Sequence, residues 1–481
     1  MRTTVVARYL GLIVLLAAAG MALSALVDLL STGEAVTTLL VAAALIGCFG
    51  VFPMVFVPAA DALSARESLA VAVGGWIVLG IASALPYVLW GAPFDLIDAL
   101  FESFSGLTTT GASILEQIEV LPAGLVFWRS LTHWIGGVGI IVLALAVLPS
   151  FTGLGLGLFR SERSQVSPAP GAVRTSDLTR ILLAVYCGLT LLETIALVLV
   201  GMPLFDAITN SFGTIATGGF CPRDGSIAAY DSLAVELVII VFMTLSGVNF
   251  AYMYGFLLGR RSLKTGQTTV VVYLSGLVVG TGFVALDIHR NVYPTVSEAL
   301  RHAAFQVISI NTSTGFASAD SSLWPGFSQA WLVIASLVGA CAGSTSGAMK
   351  MDRLVLIYQQ ARNQLRKMEH PRAVQATWVD GSPVSETQVM GAAVFVGAYL
   401  MIVALATLLV AVSGAPIREA FTGTVACMGN IGPGFGAVGS LGHYNSLADA
   451  AKLVLAAVML IGRVEIYGIL LLATPGFWQD G

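Results

Sequence analysis

Long apolar stretches alternate with short polar or glycine- and proline-containing interruptions along most of the chain. A helix needs about 20 apolar residues to cross a bilayer. The pattern predicts ten membrane spans, near 8–30, 36–58, 68–90, 126–149, 178–200, 233–258, 269–287, 330–360, 388–412 and 450–474. The composition agrees, because 57% of the 481 residues are hydrophobic and 10% are charged, whereas soluble proteins carry about 25% charged residues. We therefore expect an integral membrane protein, and exclude a cytosolic enzyme, a secreted disulfide scaffold and a nucleic-acid-binding protein.

Basic residues are distributed unequally between the two sides that these spans define. With the N-terminus in the cytoplasm, sixteen Lys and Arg residues fall on cytoplasmic stretches and six on the opposite side. Cytoplasmic loops of membrane proteins carry such an excess, so the sequence predicts a cytoplasmic N-terminus. The first span follows Arg2 and Arg8, as in a signal peptide, but its apolar run continues to Leu30, which favours an uncleaved anchor.

Four segments between the spans are too long for a turn and too short to cross a bilayer: 96–111, 203–218, 296–315 and 416–432. Each contains an acidic residue followed by alanine near its start, then about three helical turns, and ends in a glycine-containing tetrapeptide. The final glycines, Gly111, Gly218, Gly315 and Gly432, lie 107, 97 and 117 residues apart. The sequence thus predicts an internal repeat that occurs four times.

These segments have the properties of pore loops. An acidic residue at the start of a helix complements the positive end of the helix dipole, so the negative end points at the glycine-bearing stretch. Extended backbone at membrane depth is tolerated only where it is buried or lines a watery cavity, and its carbonyl groups can replace the hydration shell of a cation. Isolated glycine clusters usually mark helix packing, which is how we interpret 136–139 and 153–157. Four matched segments favour a pore.

The sequences around the four glycines resemble those of a known family. The resemblance rests on GLTTTGA at 106–112, ATGGF at 216–220, NTSTGF at 311–316 and GNIGPG at 429–434, together with two spans before the first repeat. These features resemble the Trk/Ktr/HKT superfamily of potassium transporters, and within it the TrkH-type potassium uptake proteins. The resemblance implies an all-α membrane protein with four span–pore-loop–span repeats around a pseudo-fourfold pore, plus two extra N-terminal transmembrane helices. The implied division is a helix pair at 1–65 and pore repeats at 66–150, 175–262, 266–367 (with a broken inner helix) and 385–476.

The resemblance also implies a potassium selectivity filter at the end of each pore loop. In the family the loop glycine marks the filter, and carbonyl groups just before it face the ion. The implied filter residues are Thr109, Thr110, Gly111, Ala216, Thr217, Gly218, Ser313, Thr314, Gly315, Asn430, Ile431 and Gly432. Some plant relatives that favour sodium have serine at the first glycine, so Gly111 implies potassium, with rubidium as a surrogate. The fourth loop departs from the Thr-Gly pattern because Ile431 precedes its glycine.

A gate is expected where the span at 330–360 is interrupted by glycine and hydroxyl residues. Such a run favours a broken helix and a polar loop beneath the filter. The alternative is a tolerated kink whose hydroxyl groups bond to their own helix. In the resembling family this position is an intramembrane loop that obstructs the cytoplasmic path. The resemblance therefore implies a gate formed by Gly343, Ser344, Thr345, Ser346 and Gly347.

Arg463 is a second gate candidate, because it lies midway along the last predicted span. A charge at that depth costs about 2.5–3.5 kcal/mol on insertion scales and marks a functional position by default. Below a cation filter, the guanidinium would repel potassium or occupy the place of an ion. The alternative is an ion pair with Glu465, but residues two apart on a helix do not share a face. The resemblance also implies an arginine in the cavity under the filter.

Partners are implied mainly by the resemblance. Basic cytoplasmic segments at 160–180, 260–264 and 350–372 offer a docking surface or simply anchor the chain in the membrane. The resemblance implies a homodimer and a separate TrkA-like cytosolic ring that binds NAD(H) or ATP/ADP. It also implies residence in the bacterial inner (cytoplasmic) membrane. We expect no cofactor in this chain other than potassium bound in the filter.

The predicted function is uptake of potassium and rubidium through the four-loop filter, gated by the intramembrane loop and by the cytosolic nucleotide-binding partner. A sodium- or proton-coupled potassium symporter is the alternative. Coupling would require titratable residues along the path, and the filter stretches contain none. An intramembrane enzyme is disfavoured, because the five histidines have no metal-ligand spacing.

Overall fold

The structure, a computed structural model, describes residues 1–58, 63–146, 175–257, 266–370, 377–380 and 382–478. In these ranges the chain is helical apart from an antiparallel hairpin of two strands, β1 (Thr377–Val379) and β2 (Ser382–Val384), in which Thr377 pairs with Val384. The prediction of an all-α membrane protein is confirmed, with this hairpin as a small addition. The glycine cluster at 153–157 and most of the basic segments at 160–180 and 260–264 lie outside the described residues.

The helices follow one another through the whole described chain. In order they are α1 (Thr3–Leu29), α2 (Val36–Phe56), α3 (Ala65–Ser83), α4 (Leu85–Trp90), α5 (Leu96–Leu107), α6 (Ala123–Ala146), α7 (Thr175–Leu199), α8 (Leu204–Ile215), α9 (Leu233–Ser246), α10 (Phe250–Leu257), α11 (Gln267–Asn291), α12 (Val296–Asn311), α13 (Gly326–Val338), α14 (Met351–Glu369), α15 (Glu386–Val412), α16 (Ile417–Met428), α17 (Asp449–Val464), α18 (Ile466–Ala473) and α19 (Pro475–Trp478). Short 3-10 helices lie at Ser226–Tyr230, Ser321–Leu323 and Gly436–Val438.

Six helical units in the described ranges are long and apolar enough to span a membrane, and two bent helix pairs raise that number to eight. The six are α1, α2, α3 with α4, α7, α11 and α15. The helices α1 and α2 pack against each other, and α1 also packs on α3 and α6. Asp28, near the end of α1, is buried and accepts hydrogen bonds from the backbone amides of Ala35 (2.7 Å) and Gly124 (2.8 Å), which ties the N-terminal pair to the start of α6. The chain is therefore a multi-pass membrane protein.

The remaining helices form four repeats, each with an outer helix, a short pore helix and an inner helix. The triplets are α3–α4, α5 and α6; α7, α8 and α9–α10; α11, α12 and α13–α14; and α15, α16 and α17–α18. The inner helix of each repeat packs on the pore helix of the next: α6 on α8, α9 on α12, α13 on α16, and α17 on α5. Because the last contact returns to the first repeat, the four repeats close around one axis.

The pore helices begin where the acid–alanine pairs predicted them. The first turns contain Asp98, Asp206, Glu298 and Glu419. The carboxylate of Asp95 caps α5 by accepting from the amide of Asp98 (2.7 Å), and Thr295 caps α12, whereas α8 and α16 start directly after a proline. The caps satisfy free amides at the starts of α5 and α12, and the acidic residues complement the dipole at the start of all four helices. The opposite ends all run into the glycine-bearing stretches.

Three of the four inner helices are broken. The break between α13 and α14 covers 339–350, as the sequence predicts, so the tolerated-kink alternative is wrong. Two further breaks are not predicted: α9 and α10 meet at 100°, and α17 and α18 meet at 107°. The second follows from Glu465, which has a φ of +63° and cannot continue the helix.

Candidate ion-conduction site

The four stretches that follow the pore helices share one unusual backbone turn. The second residue after each helix has a positive φ although it is not glycine: Thr109 (52°), Thr217 (54°), Ser313 (58°) and Asn430 (52°). Two residues later a glycine is again at positive φ: Gly111 (80°), Gly219 (82°), Gly315 (82°) and Gly432 (97°). Non-glycine residues adopt positive φ in only a few per cent of cases. Four copies of this turn at matched positions therefore identify one structural element built four times.

The four turns contact one another in a closed ring. Each of the four glycines lies against the backbone carbonyl oxygen of the residue before the glycine in the next repeat. The contacts are Gly111 with Gly218, Gly219 with Thr314, Gly315 with Ile431, and Gly432 with Thr110. A Cβ atom at any of these glycines would overlap the carbonyl oxygen of its neighbour. Both the positive φ and the close approach thus require glycine.

The ring corrects the sequence prediction in the second repeat by one residue. The prediction makes Gly218 the equivalent of Gly111, and the structure places Gly219 there. Ala216 accordingly belongs to the end of the pore helix, where it is the C-cap of α8. The stretch of the second repeat that is equivalent to 109–111, 313–315 and 430–432 is therefore 217–219.

Side chains behind the ring hold the turns in place. Thr108 and Thr110 share a hydrogen bond between their hydroxyl oxygens (2.8 Å), and Thr312 and Thr314 repeat it (2.8 Å). The Tyr444 hydroxyl donates to the carbonyl oxygen of Gly432 (2.7 Å). These contacts are made by buried residues, so the ring is set in a rigid frame.

Sequence reasoning missed a polar cluster between the first and second repeats. The guanidinium of Arg129 donates to the Glu102 carboxylate (2.5 Å) and to the carbonyl of Cys221 (3.2 Å), and it lies 3.5 Å from the Phe220 ring centroid. The His133 ring stacks on that same ring (4.1 Å between centroids), with Nδ1 2.6 Å from the carbonyl oxygen of Gly106. Both Arg129 and His133 occur in the predicted apolar span at 126–149. A polar side chain among apolar residues at membrane depth was the signal that could have indicated this cluster.

The predicted gate residues lie together in the loop between α13 and α14. Ser344, Thr345 and Ser346 are buried. The Thr345 hydroxyl donates to the carbonyl oxygen of Ile215 at the end of pore helix α8 (3.0 Å), and the Ser344 hydroxyl donates to Cys341 within the loop (2.7 Å). The loop therefore packs against the carboxyl end of pore helix α8, beside the second turn of the ring.

Arg463 reaches the same loop from inner helix α17. Its side chain is buried, and its two terminal nitrogens donate to the carbonyl oxygens of Thr345 (2.8 Å) and Gly136 (3.2 Å). The alternative of an ion pair between Arg463 and Glu465 is wrong. The Glu465 carboxylate instead contacts Arg353 (3.0 Å) and Lys350 (3.8 Å).

Two acidic residues in the first turns of the pore helices are paired with basic residues. Asp98 contacts Lys452 (2.6 Å), and Asp206 contacts Arg223 (3.1 Å), whose pKa it raises by its negative charge. Glu116 and Glu119 remain more exposed, with about half of each side chain accessible to solvent. Part of the negative charge of these four residues is thus neutralised within the protein, and part faces solvent.

Comparison with known proteins agrees with this architecture. A family model described as TrkH, cation transport protein, matches residues 55–268 and 263–479. The chain is 36% identical over 431 residues to the Trk system potassium uptake protein TrkH of Vibrio parahaemolyticus, with 87% of each chain covered. It is 36% identical over 432 residues to TrkH of Escherichia coli K12 (87% of each) and 32% identical over 431 residues to TrkG of that organism (87% of this chain, 86% of the relative).

A solved structure shares the complete fold. The crystal structure of the potassium transporter TrkH from Vibrio parahaemolyticus superposes with a TM-score of 0.89 at 33% sequence identity, and the match covers 100% of both chains. The closed arrangement of four repeats, the family match and these relatives lead to one conclusion. The chain belongs to the TrkH family of cation transport proteins.

Proposed function

We propose that this protein takes up potassium, and rubidium as its surrogate, by passive conduction through the ring of four turns. The observation that carries the proposal is the ring itself: four pore helices end in equivalent turns, and each turn contacts the next through a glycine and a carbonyl oxygen. The relatives named above are potassium uptake proteins, which supports potassium as the cation.

The chemistry of the ring suits a dehydrated cation. Backbone carbonyl oxygens replace the water ligands of the ion, and the negative ends of four helix dipoles add to their preference for positive charge. We assign the filter to 109–111, 217–219, 313–315 and 430–432. No side chain in these stretches is titratable, which favours passive conduction over coupling to sodium or protons.

The loop at 343–347 and Arg463 together form the proposed gate. The loop lies beside the second turn of the ring, and Arg463 holds it through the carbonyl oxygen of Thr345. A fixed positive charge on the cytoplasmic side of the filter repels the permeating cation. Conduction then requires that Arg463 releases the loop and that the loop moves aside.

Opening is proposed to depend on a cytosolic partner. The relatives belong to a named Trk system, and the resemblance implies a homodimer with a TrkA-like ring that binds NAD(H) or ATP/ADP. The helix α14 continues from the gate loop to Glu369 and contains Arg362, Arg366 and Lys367, which gives a basic surface directly connected to the gate. We place the protein in the bacterial inner membrane with a cytoplasmic N-terminus, on the basis of the excess of basic residues on that side.

The test is uptake of rubidium-86 into liposomes that contain the purified protein, with potassium or sodium as competitor. The Arg463→Ala variant, which releases the loop, serves as the conducting reference. We expect potassium but not sodium to compete. Uptake that sodium inhibits as well as potassium does, or uptake that requires a sodium or proton gradient, would overturn the proposal.

Gly111→Ser, examined in the Arg463→Ala background, tests the filter directly. A side chain at this position must adopt positive φ and overlaps the carbonyl oxygen of Gly218, so we expect the potassium preference to fall by about tenfold, or ~1.4 kcal/mol. Gly188→Ser is the matched control, because a Cβ there meets nothing within 4 Å. An unchanged preference in Gly111→Ser would contradict the assignment of Gly111 to the filter.

A further inference from the structure

The gate loop is hydrogen-bonded to one of the filter turns. The Ser313 hydroxyl oxygen accepts from the backbone amide of Gly347 (2.9 Å) and donates to the Ser346 hydroxyl oxygen (3.2 Å). Ser346 in turn accepts from the backbone amide of Ala340 at the start of the loop (3.2 Å). All of these residues are buried. The third turn of the ring is thus bonded through Ser313 directly to Ser346 and Gly347, and through Ser346 indirectly to Ala340.

The fourth turn supports the same loop by close packing. A Cβ at Gly347 would overlap the carbonyl oxygen of Gly429 and would lie 3.1 Å from the Asn430 side chain. The side-chain amide nitrogen of Asn430 donates to the hydroxyl oxygen of Thr110 in the first turn (3.0 Å) and to the carbonyl oxygen of Met459 in α17 (2.9 Å). The loop consequently rests against side chains and backbone that also shape the ring.

The first and second turns have equivalent side chains with different partners. Thr217 donates to the carbonyl of its own neighbour Ala216 (2.7 Å), and Thr109 has no hydrogen-bond partner for its hydroxyl among the described residues. No hydrogen bond joins either side chain to the loop in this part of the chain. Of the three hydroxyl residues at this position, Ser313 is thus the one that the loop uses.

We propose that Ser313 is a positioning residue that latches the gate loop to the filter, so that the loop position and the ion occupancy of the filter are coupled. The proposal rests on the proposed function. Release of the loop breaks the bonds of Ser313 to Ser346 and Gly347 and frees a hydroxyl group at the lower edge of the ring. Because coupling is reciprocal, ions that alter this edge of the filter also alter the stability of the closed loop.

Basal uptake of rubidium-86, measured without any partner, tests the latch. Ser313→Ala removes the hydrogen bonds to Ser346 and Gly347, and Ser346→Ala removes those to Ser313 and Ala340. Each variant loses at least two neutral buried hydrogen bonds, so we expect basal uptake to rise at least about fivefold in each. The increase in basal uptake of the double variant is expected to be smaller than the two single increases combined, because the two hydroxyl groups act as a pair. Ser313→Thr keeps the hydroxyl group and is expected to restore low basal uptake.

Thr217→Ala is the matched comparison, because it removes the equivalent hydroxyl group from the second turn without touching the loop. We expect it to reduce uptake or weaken the preference for potassium, and not to raise basal uptake. Equal increases in Thr217→Ala and Ser313→Ala would show a general disturbance of the filter and would overturn the latch. Wild-type basal uptake in Ser313→Ala, beside raised uptake in Arg463→Ala, would overturn it as well.

Hydrogen exchange of the loop backbone at 340–350 provides a readout that does not depend on flux. We expect exchange in the wild-type protein to differ between potassium and sodium solutions and this difference to disappear in Ser313→Ala. The same ion dependence in both proteins would overturn the coupling. Failure of the proposed function has a different signature, because then neither the wild-type protein nor Arg463→Ala conducts rubidium.

Discussion

Four residues of the ring, one in each turn, are held in conformations that their side chains resist. A left-handed φ costs roughly 1–2 kcal/mol for an L-residue that is not glycine, and four such residues lie side by side in the ring. The hydrogen bonds behind the turns, such as the one from Tyr444 to Gly432, offset this cost. The ring is thus a strained element that the surrounding repeats stabilise.

Adjacent glycines in the second turn are expected to respond differently to alanine. Gly219 has positive φ, and a Cβ there overlaps the backbone oxygen of Thr314, whereas a Cβ at Gly218 overlaps the side chain of His133. Gly219→Ala should therefore lower the potassium preference by about tenfold in the Arg463→Ala background, as expected for Gly111→Ser, and His133→Ala should not restore it. Uptake lost in Gly218→Ala should return in part when His133→Ala makes room. Rescue of Gly219→Ala by His133→Ala would contradict the corrected register.

This register was not accessible from the sequence. Gly218 directly follows a threonine, as Gly111 does, whereas Gly219 lies two residues after a threonine, as Gly111 also does. The contact with the next repeat distinguishes the two. Arg463 was predictable, because a charge in the middle of an apolar span has few structural explanations. Its partners, the carbonyl oxygens of Thr345 and Gly136, depend on loop geometry that no local pattern specifies.

At the scale of elements, three of the four inner helices in the described ranges are broken. The break in the third repeat is visible in the sequence, because glycine and hydroxyl residues accumulate at 343–347. The break at Glu465 is not, because the flanking residues Val464 and Ile466 read as continuous apolar helix. Its cause is tertiary, since Glu465 and Lys350 both adopt positive φ at the start of the following helices and contact each other across the two breaks.

Glu465→Gln tests whether the contact between the Glu465 carboxylate and the basic residues of the third repeat stabilises the two helix breaks against each other. The variant removes the charge that faces Arg353 (3.0 Å) and Lys350 (3.8 Å), where the carboxylate side chain is only 15% exposed. We expect the free energy of unfolding to fall by about 2 kcal/mol, since hydrogen bonds to charged groups contribute roughly 1.5–3 kcal/mol. The measurement is the thermal melting temperature of the purified protein in detergent, which should fall.

Two comparisons make the Glu465 experiment specific. Glu34→Gln removes an exposed carboxylate and should leave the melting temperature unchanged. Arg353→Gln and the double variant complete a cycle in which the two losses should not add. Additive losses of stability would show that Glu465 and Arg353 act independently, and that their contact does not hold the two helix breaks together.

The whole molecule is organised by the return of the fourth repeat to the first. The recurrence of four pore loops predicts this closure, because extended backbone at membrane depth must be enclosed by protein. The side chains that join neighbouring repeats are not predictable, since the paired residues lie 65, 89 and 354 positions apart in the sequence. The fourth residue of three inner helices reaches the pore helix of the next repeat: Glu236 contacts Arg301 (2.8 Å), Gln329 contacts Arg418 (3.1 Å) and Lys452 contacts Asp98 (2.6 Å).

The contact between Lys452 and Asp98 is expected to be the costliest of these to break, because it is buried and joins the last repeat to the first. Lys452→Met leaves the Asp98 carboxylate buried without its partner. We expect the free energy of unfolding to fall by about 3–5 kcal/mol and the melting temperature to fall with it. Asp98→Asn added to Lys452→Met should recover most of that loss, because no uncompensated charge then remains. Arg418→Met removes the exposed, equivalent contact with Gln329 and should lower the free energy of unfolding by less than about 1 kcal/mol. Equal shifts for Lys452→Met and Arg418→Met would mean that closure depends on helix packing alone, and that the buried ion pair adds nothing to it.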